Sequence, residues 1–128
     1  MSGELRRHLR VLALLNVADD DHRAVSDVLR RLDAPLTHNY VVVETEALAR
    51  RRLGATASRR FLDLVQDIAE IRWVDRDLHD RAVARSEPRG RRASLVDEVS
   101  FAFMRDHGLE AAVALDDDFL QEGFRILP

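Results

Sequence analysis

The chain of 128 residues contains no cysteine. Disulfides and thiolate metal sites are excluded, and the expected compartment is the cytoplasm. Lysine is missing as well, so all 20 basic side chains are arginine. A receiver-type signalling domain, which needs a Lys partner for its phosphoacceptor Asp, is therefore disfavoured. Arginine offers planar forks that grip phosphate or carboxylate through two bonds. No apolar run approaches the roughly 18 residues of a membrane span. The longest, Val11 to Val17, also lacks a signal-peptide cleavage pattern, so neither a membrane segment nor a secretion leader is expected. There is no Gly-rich phosphate loop and no Gly-x-Ser-x-Gly elbow. His8, His22, His38, His79 and His107 show no HxH or HxxxH spacing, which argues against zinc. Repeats and low-complexity linkers are absent too.

What remains is an ordinary globular composition, 46% hydrophobic and 34% charged, with a net charge of −3. One domain spanning 1–128 is expected. The slightly acidic balance does not announce nucleic-acid binding through bulk charge.

Short apolar segments alternate with helical ones, the pattern of an α/β fold with a small, mostly parallel sheet covered by helices on both faces. Residues 5–17 fit a helical face, while the continuous run Val11–Val17 fits a buried parallel strand equally well. Asp19, Asp20, Asp21 and His22 then form a turn, with Asp21 a natural N-cap for a helix over Arg23–Leu32. Asp33-Ala34-Pro35 stops that helix. Leu36–Asn39 is a brief strand. A helix over Tyr40–Leu53 turns Val43, Ala47 and Leu48 inward, places Arg50–Arg52 where cations suit the helix dipole, and is capped by Gly54. Glu46 and Arg50 stand at ion-pair spacing on it. The next helix, Thr56–Ala69, buries Phe61, Leu62, Val65 and Ile68 or Ala69. A strand over Ile71–Val74 carries the single Trp, and a helix covers Asp77–Arg85. The loop through Pro88 and Gly90 leads to the most informative stretch, Ser94–Leu127: a helix, a Gly turn, a strand over Ala111–Leu115, an acidic turn and a last strand.

Asp97 opens the late helix, and Asp116 ends the strand that follows it. Strand ends and helix starts on one edge of an open parallel sheet form its ligand crevice. Carboxylates that meet there repel unless a cation or a proton lies between them. Oxygen ligands of this kind suit Mg²⁺ or Mn²⁺, which can polarise a phosphate and acidify water. Each acid also has a structural explanation. Ser94-Leu95-Val96-Asp97 is a capping-box pattern. Glu44 reads as an exposed helix carboxylate near Arg51, and Asp116-Asp117-Asp118 as a solvated turn.

The stretches THNYVVVETEALARRRLG and SLVDEVSFAFMRDHGLEAAVALDDDFLQEGFRIL, at their spacing, resemble PIN-domain proteins, especially the small toxin nucleases of bacterial toxin–antitoxin pairs. The likeness runs from about Leu12 to the C-terminus. It implies a PIN-like three-layer sandwich and a ribonuclease whose Mg²⁺ or Mn²⁺ is held by Glu44, Asp97 and Asp116. Asp118 matches an additional acid of some members, and Ser94 and Asn39 match polar positions flanking the site. Capping by Asp97 is compatible with ligation. The resemblance further implies an RNA substrate, a cognate antitoxin that covers the site, and a homodimer. Arg50–Arg52 and Arg89–Arg92 are candidates for the RNA backbone, though each group reads more readily as solvated surface or antitoxin contact.

The pattern breaks at the amino terminus. The family's first apolar helix best matches Val11–Asn16, which puts Arg7 where the first catalytic Asp belongs, and Met1–Arg7 is too polar for a buried central strand. Two readings stay open. Either Val11–Val17 is itself the central strand and Asp19 or Asp20 supplies the first acid, or that acid is lost and the fold is a degenerate module that binds RNA or a protein without cutting. The first is preferred, because a doubly wound sheet without its central strand would leave an apolar gap.

Overall fold

The computed structural model describes residues 11–13, 35–86, 93–109, 111–113 and 125–126. Among the described residues five strands form one sheet: β1 (Val11–Ala13), β2 (Leu36–His38), β3 (Glu70–Arg72), β4 (Ala111–Val113) and β5 (Arg125–Ile126). Their order is β3-β2-β1-β4-β5, and every pairing is parallel. The ambiguous run at Val11 thus supplies a strand, and it lies at the centre. The chain builds outward from β1 first through β2 to β3, and then on the other side through β4 to β5. The strand order reverses between β1 and β4, which is where open α/β sheets bind ligands.

Among the described residues, four helices lie between the strands: α1 (Asn39–Leu53), α2 (Ala55–Ile68), α3 (Arg76–Ser86) and α4 (Leu95–Asp106). The β2-to-β3 and β3-to-β4 connections run in opposite directions along the sheet. Right-handed crossovers therefore carry α1–α2 and α3–α4 to opposite faces. Leu36, Thr37 and His38, three consecutive residues of β2, are all buried, as a strand covered on both faces requires. The edge strand β3 is only half covered.

The main core packs Leu36 against Leu78 and Ala82 of α3 and Val99, Phe101, Phe103 and Met104 of α4. Leu109 closes it after a turn at Gly108, whose φ of 65° favours glycine. The Leu109 N–H bonds to the Met104 carbonyl at 2.8 Å and the Gly108 N–H to that of Arg105 at 3.3 Å. This is the Schellman arrangement, and its two apolar partners, Met104 and Leu109, are both buried. Gly54 ends α1 at φ 96°, its N–H on the Arg50 carbonyl.

Two expectations are corrected. The inward face of α1 is Val41, Thr45 and Ala49, whereas Val43 is 67% exposed. Val41-Val42-Val43 is apolar throughout, so the pattern did not fix the rotation; the buried face continues through the small residues Thr45 and Ala49. The third strand also ends one residue before Trp73, which is exposed rather than in the sheet. The segments 14–34 and 87–92, including the expected helix over Arg23–Leu32, lie outside the described residues.

Candidate active site

The carboxyl ends of β1, β2 and β4 share one edge of the sheet. On that edge β2 runs directly into α1, with His38 as N-cap, and Glu44 is the sixth residue of the helix. Helix α4 begins at Leu95 with Ser94 as its N-cap. The Ser94 hydroxyl accepts the Asp97 N–H at 3.1 Å, and Asp97 Oδ2 accepts the Ser94 N–H at 3.3 Å. The expected capping box is therefore formed, and it engages one oxygen of a carboxylate that has two.

Glu44 and Asp97 come from separate helices yet sense one another. Although Glu44 is exposed as a residue, the loss of water around its carboxyl, and after that the negative charge of Asp97, push its pKa up. A carboxyl whose ionisation is opposed by a second carboxylate marks an anionic pocket to which a hard divalent cation is complementary. Among the described residues no group of three or more potential ligands converges. The third expected ligand, Asp116, follows β4 by three residues in sequence. It lies outside the described residues, as do Asp118, Asp19 and Asp20.

Asn39 is engaged by backbone. Its Oδ1 accepts the Val74 N–H at 2.6 Å and ties the start of α1 to the segment after β3. Arg50, in the predicted arginine cluster, is paired with Glu46 at 2.9 Å, as the spacing indicated. Arg89–Arg92 fall outside the described residues.

Residues not singled out in the sequence complete the surroundings. Glu98, next to Asp97, is fully buried and receives a bond from Arg85 of α3 at 3.2 Å. Consecutive helical residues point about 100° apart, so this pair of acids divides: Glu98 is held inside by an arginine, and Asp97 stays half-buried at the helix start. His38 is also fully buried. Its Nδ1 accepts the Val41 N–H at 3.3 Å, so that nitrogen carries no proton. Nε2–H then donates to the Ser100 hydroxyl at 2.8 Å, which in turn donates to the Val96 carbonyl at 2.9 Å. Burial pushes the His38 pKa down to about 4, in keeping with a neutral ring. No local pattern could have revealed this, since His38 and Ser100 stand 62 residues apart.

The PIN domain family matches residues 11–124. The chain belongs to the PIN domain family. The match begins at the first residue of β1, so the central strand of this PIN domain is Val11–Ala13 and the polar residues before it are outside the matched region. The 23S rRNA-specific endonuclease VapC20 of Mycobacterium tuberculosis, found in two strains, is 34% identical over 93 residues, which make up 70% of each chain. The crystal structure of M. tuberculosis VapC20, described as a sarcin–ricin loop cleaving toxin, superposes with a TM-score of 0.78 at 28% identity. It covers 91% of this chain and 98% of the VapC20 chain. PIN-domain nucleases generally use divalent metal ions, and the Glu44–Asp97 pair has the donor chemistry for one. No described helix is long and apolar enough to cross a membrane.

Proposed function

We propose that this PIN-domain protein is a divalent-metal-dependent endoribonuclease, the toxin of a toxin–antitoxin pair, with Glu44, Asp97 and Asp116 holding one or two Mg²⁺ or Mn²⁺ ions. The observation that carries the reading is the PIN domain match over residues 11–124, within which α1 and α4 bring Glu44 near enough to Asp97 for the Asp97 charge to raise the Glu44 pKa. When bound, the ion neutralises charge developing on the phosphodiester and makes water a better nucleophile. The protein's own part is to hold the carboxylates in place. Asp97 is fixed by its capping bond to Ser94. Glu44 is carried on a helix whose start is locked to the sheet by His38 and to the segment after β3 by Asn39. Asp19 or Asp20 would supply the remaining acid from the amino-terminal segment.

Likeness to VapC20 makes structured ribosomal RNA, and the sarcin–ricin loop in particular, the first substrate to test. A small antitoxin that covers the acidic edge, a homodimer and a cytoplasmic location belong to the same proposal.

The test is incubation of purified protein with sarcin–ricin loop RNA in Mg²⁺ or Mn²⁺, with and without EDTA. Cleavage that needs the metal and is lost in Glu44→Gln and Asp97→Asn is expected. Absence of cleavage with either metal, across structured RNAs, would leave a PIN-fold module that binds without cutting.

A further inference from the structure

The nuclease reading uses Glu44 and Asp97 but leaves open what fixes the distance between them. They stand on helices that enter the site from different parts of the chain, and like charges favour separation. We propose that His38, acting through Ser100, is a positioning residue that sets the separation of Glu44 and Asp97. The proposal rests on the reading of these acids as a metal site.

The geometry is a continuous relay across the two helices. The Val41 N–H, in the first turn of α1, donates to His38 Nδ1. His38 Nε2–H donates to the Ser100 hydroxyl, and that hydroxyl donates to the Val96 carbonyl of α4. Each end of the relay lies one turn from a candidate ligand. Val41 precedes Glu44 by three residues, and Ser100 follows Asp97 by three. Residues three apart are neighbours on a helix surface. The bridge therefore joins α1 and α4 beside the two acids. Its two side chains, His38 and Ser100, are both at 0% exposure. The imidazole is also wedged between rings, with Phe103 at 5.3 Å and Tyr40 at 6.2 Å between centroids, so it cannot swing without disturbing the core.

The residue type is informative. Ser, Thr, Asp and Asn are the usual N-caps, and any of them would satisfy the Val41 N–H. A shorter cap would not span to Ser100. Imidazole accepts on one side and donates on the other across a rigid ring, and so caps α1 and clamps α4 together.

The test compares wild type, Ser100→Ala, His38→Asn and His38→Gln by Mn²⁺ titration calorimetry, thermal melting and RNA cleavage kinetics. Ser100→Ala removes the hydroxyl at little steric cost. His38→Asn keeps a cap for Val41 and loses the reach to Ser100, whereas His38→Gln keeps a donor near the Nε2 position. Partners that orient metal ligands typically contribute about 10–100-fold in metal affinity or activity. Ser100→Ala and His38→Asn are expected to bind Mn²⁺ about tenfold more weakly and to lose kcat at unchanged KM, and His38→Gln to recover part of both. Wild-type Mn²⁺ affinity in Ser100→Ala and His38→Asn, with only the melting temperature altered, would overturn the positioning role and leave the nuclease reading intact. Weakened Mn²⁺ binding in the variants of a protein that cuts no RNA would support positioning and sink the nuclease reading. No Mn²⁺ uptake by wild type would overturn both.

Discussion

Helices α1 and α4 each bring one acid to the same edge of the sheet, but they begin in different ways. Helix α4 starts with a self-contained device: Ser94 and Asp97, three residues apart, satisfy each other's backbone N–H groups. Helix α1 has no acid in its first turn and is capped by a buried histidine, whose other nitrogen is held by α4 itself. Both caps are local, but only the α1 cap is also tied to the other helix, through the bond from His38 to Ser100 that forms once the two helices have met. The difference implies unequal responses to change. Asp97 keeps its local scaffold even if the core loosens, whereas the placement of Glu44 depends on the tertiary contact.

The largest expected effect comes from the acids themselves. Asp97→Asn retains an acceptor for the Ser94 N–H, so the cap survives while the charge is lost. RNA cleavage should fall by about 10²–10³-fold, the order seen when one preorganised electrostatic contact is removed, with little change in melting temperature. Glu44→Gln should lose activity similarly but melt slightly higher, since it removes a carboxyl whose charge is opposed by burial and by Asp97. A lower melting temperature for Glu44→Gln would contradict that repulsion.

Next is the pH dependence of the α1 start. His38 binds its proton near 6.5 in the unfolded chain and near 4 in the folded protein. Between these values the unfolded state holds more protons. The stability associated with neutral His38 is thus complete above pH 6.5 and is lost as pH falls toward 4, by roughly 3 kcal/mol. Glu44, raised in the fold, contributes with the opposite sign, gaining stability as pH falls. Urea unfolding from pH 7 to 4 should show the net loss, and His38→Asn should flatten it. An unchanged slope in that variant would assign the loss to other groups.

A smaller effect is expected at the α4 start. Ser94→Ala removes a side-chain cap and should cost about 1 kcal/mol, read as a fall of roughly 4 °C in melting temperature. The smallest belongs to the exposed Arg59–Asp63 pair of α2, at 2.6 Å. Arg59→Ala should leave melting and cleavage unchanged, because exposed pairs are screened by water and salt.

Much of this was legible in the residues. The strand–helix alternation, the capping box at Ser94, the glycine stops at Gly54 and Gly108 and the Glu46–Arg50 pair all depend on contacts within a few positions of the chain, where sequence spacing translates directly into geometry. Val11 could be placed in a strand only by the argument that a doubly wound sheet needs a filled centre. The rotation of α1 was not legible: three consecutive valines satisfy several faces, and the fold buries the one that continues through Thr45 and Ala49. Glu98 gave no sign that it would be buried, because its arginine comes from another helix.

By itself, then, the sequence determined the order of the described elements and the caps at Ser94, Gly54 and Gly108, since these are set by neighbours at fixed spacing. Only the tertiary structure decided that β1 lies between β2 and β4, that Glu44 stands within reach of the Asp97 charge, and that one buried histidine joins their helices. Those facts depend on which distant surfaces pack together, and packing is settled by burial and by the pairing of buried polar groups across the whole core.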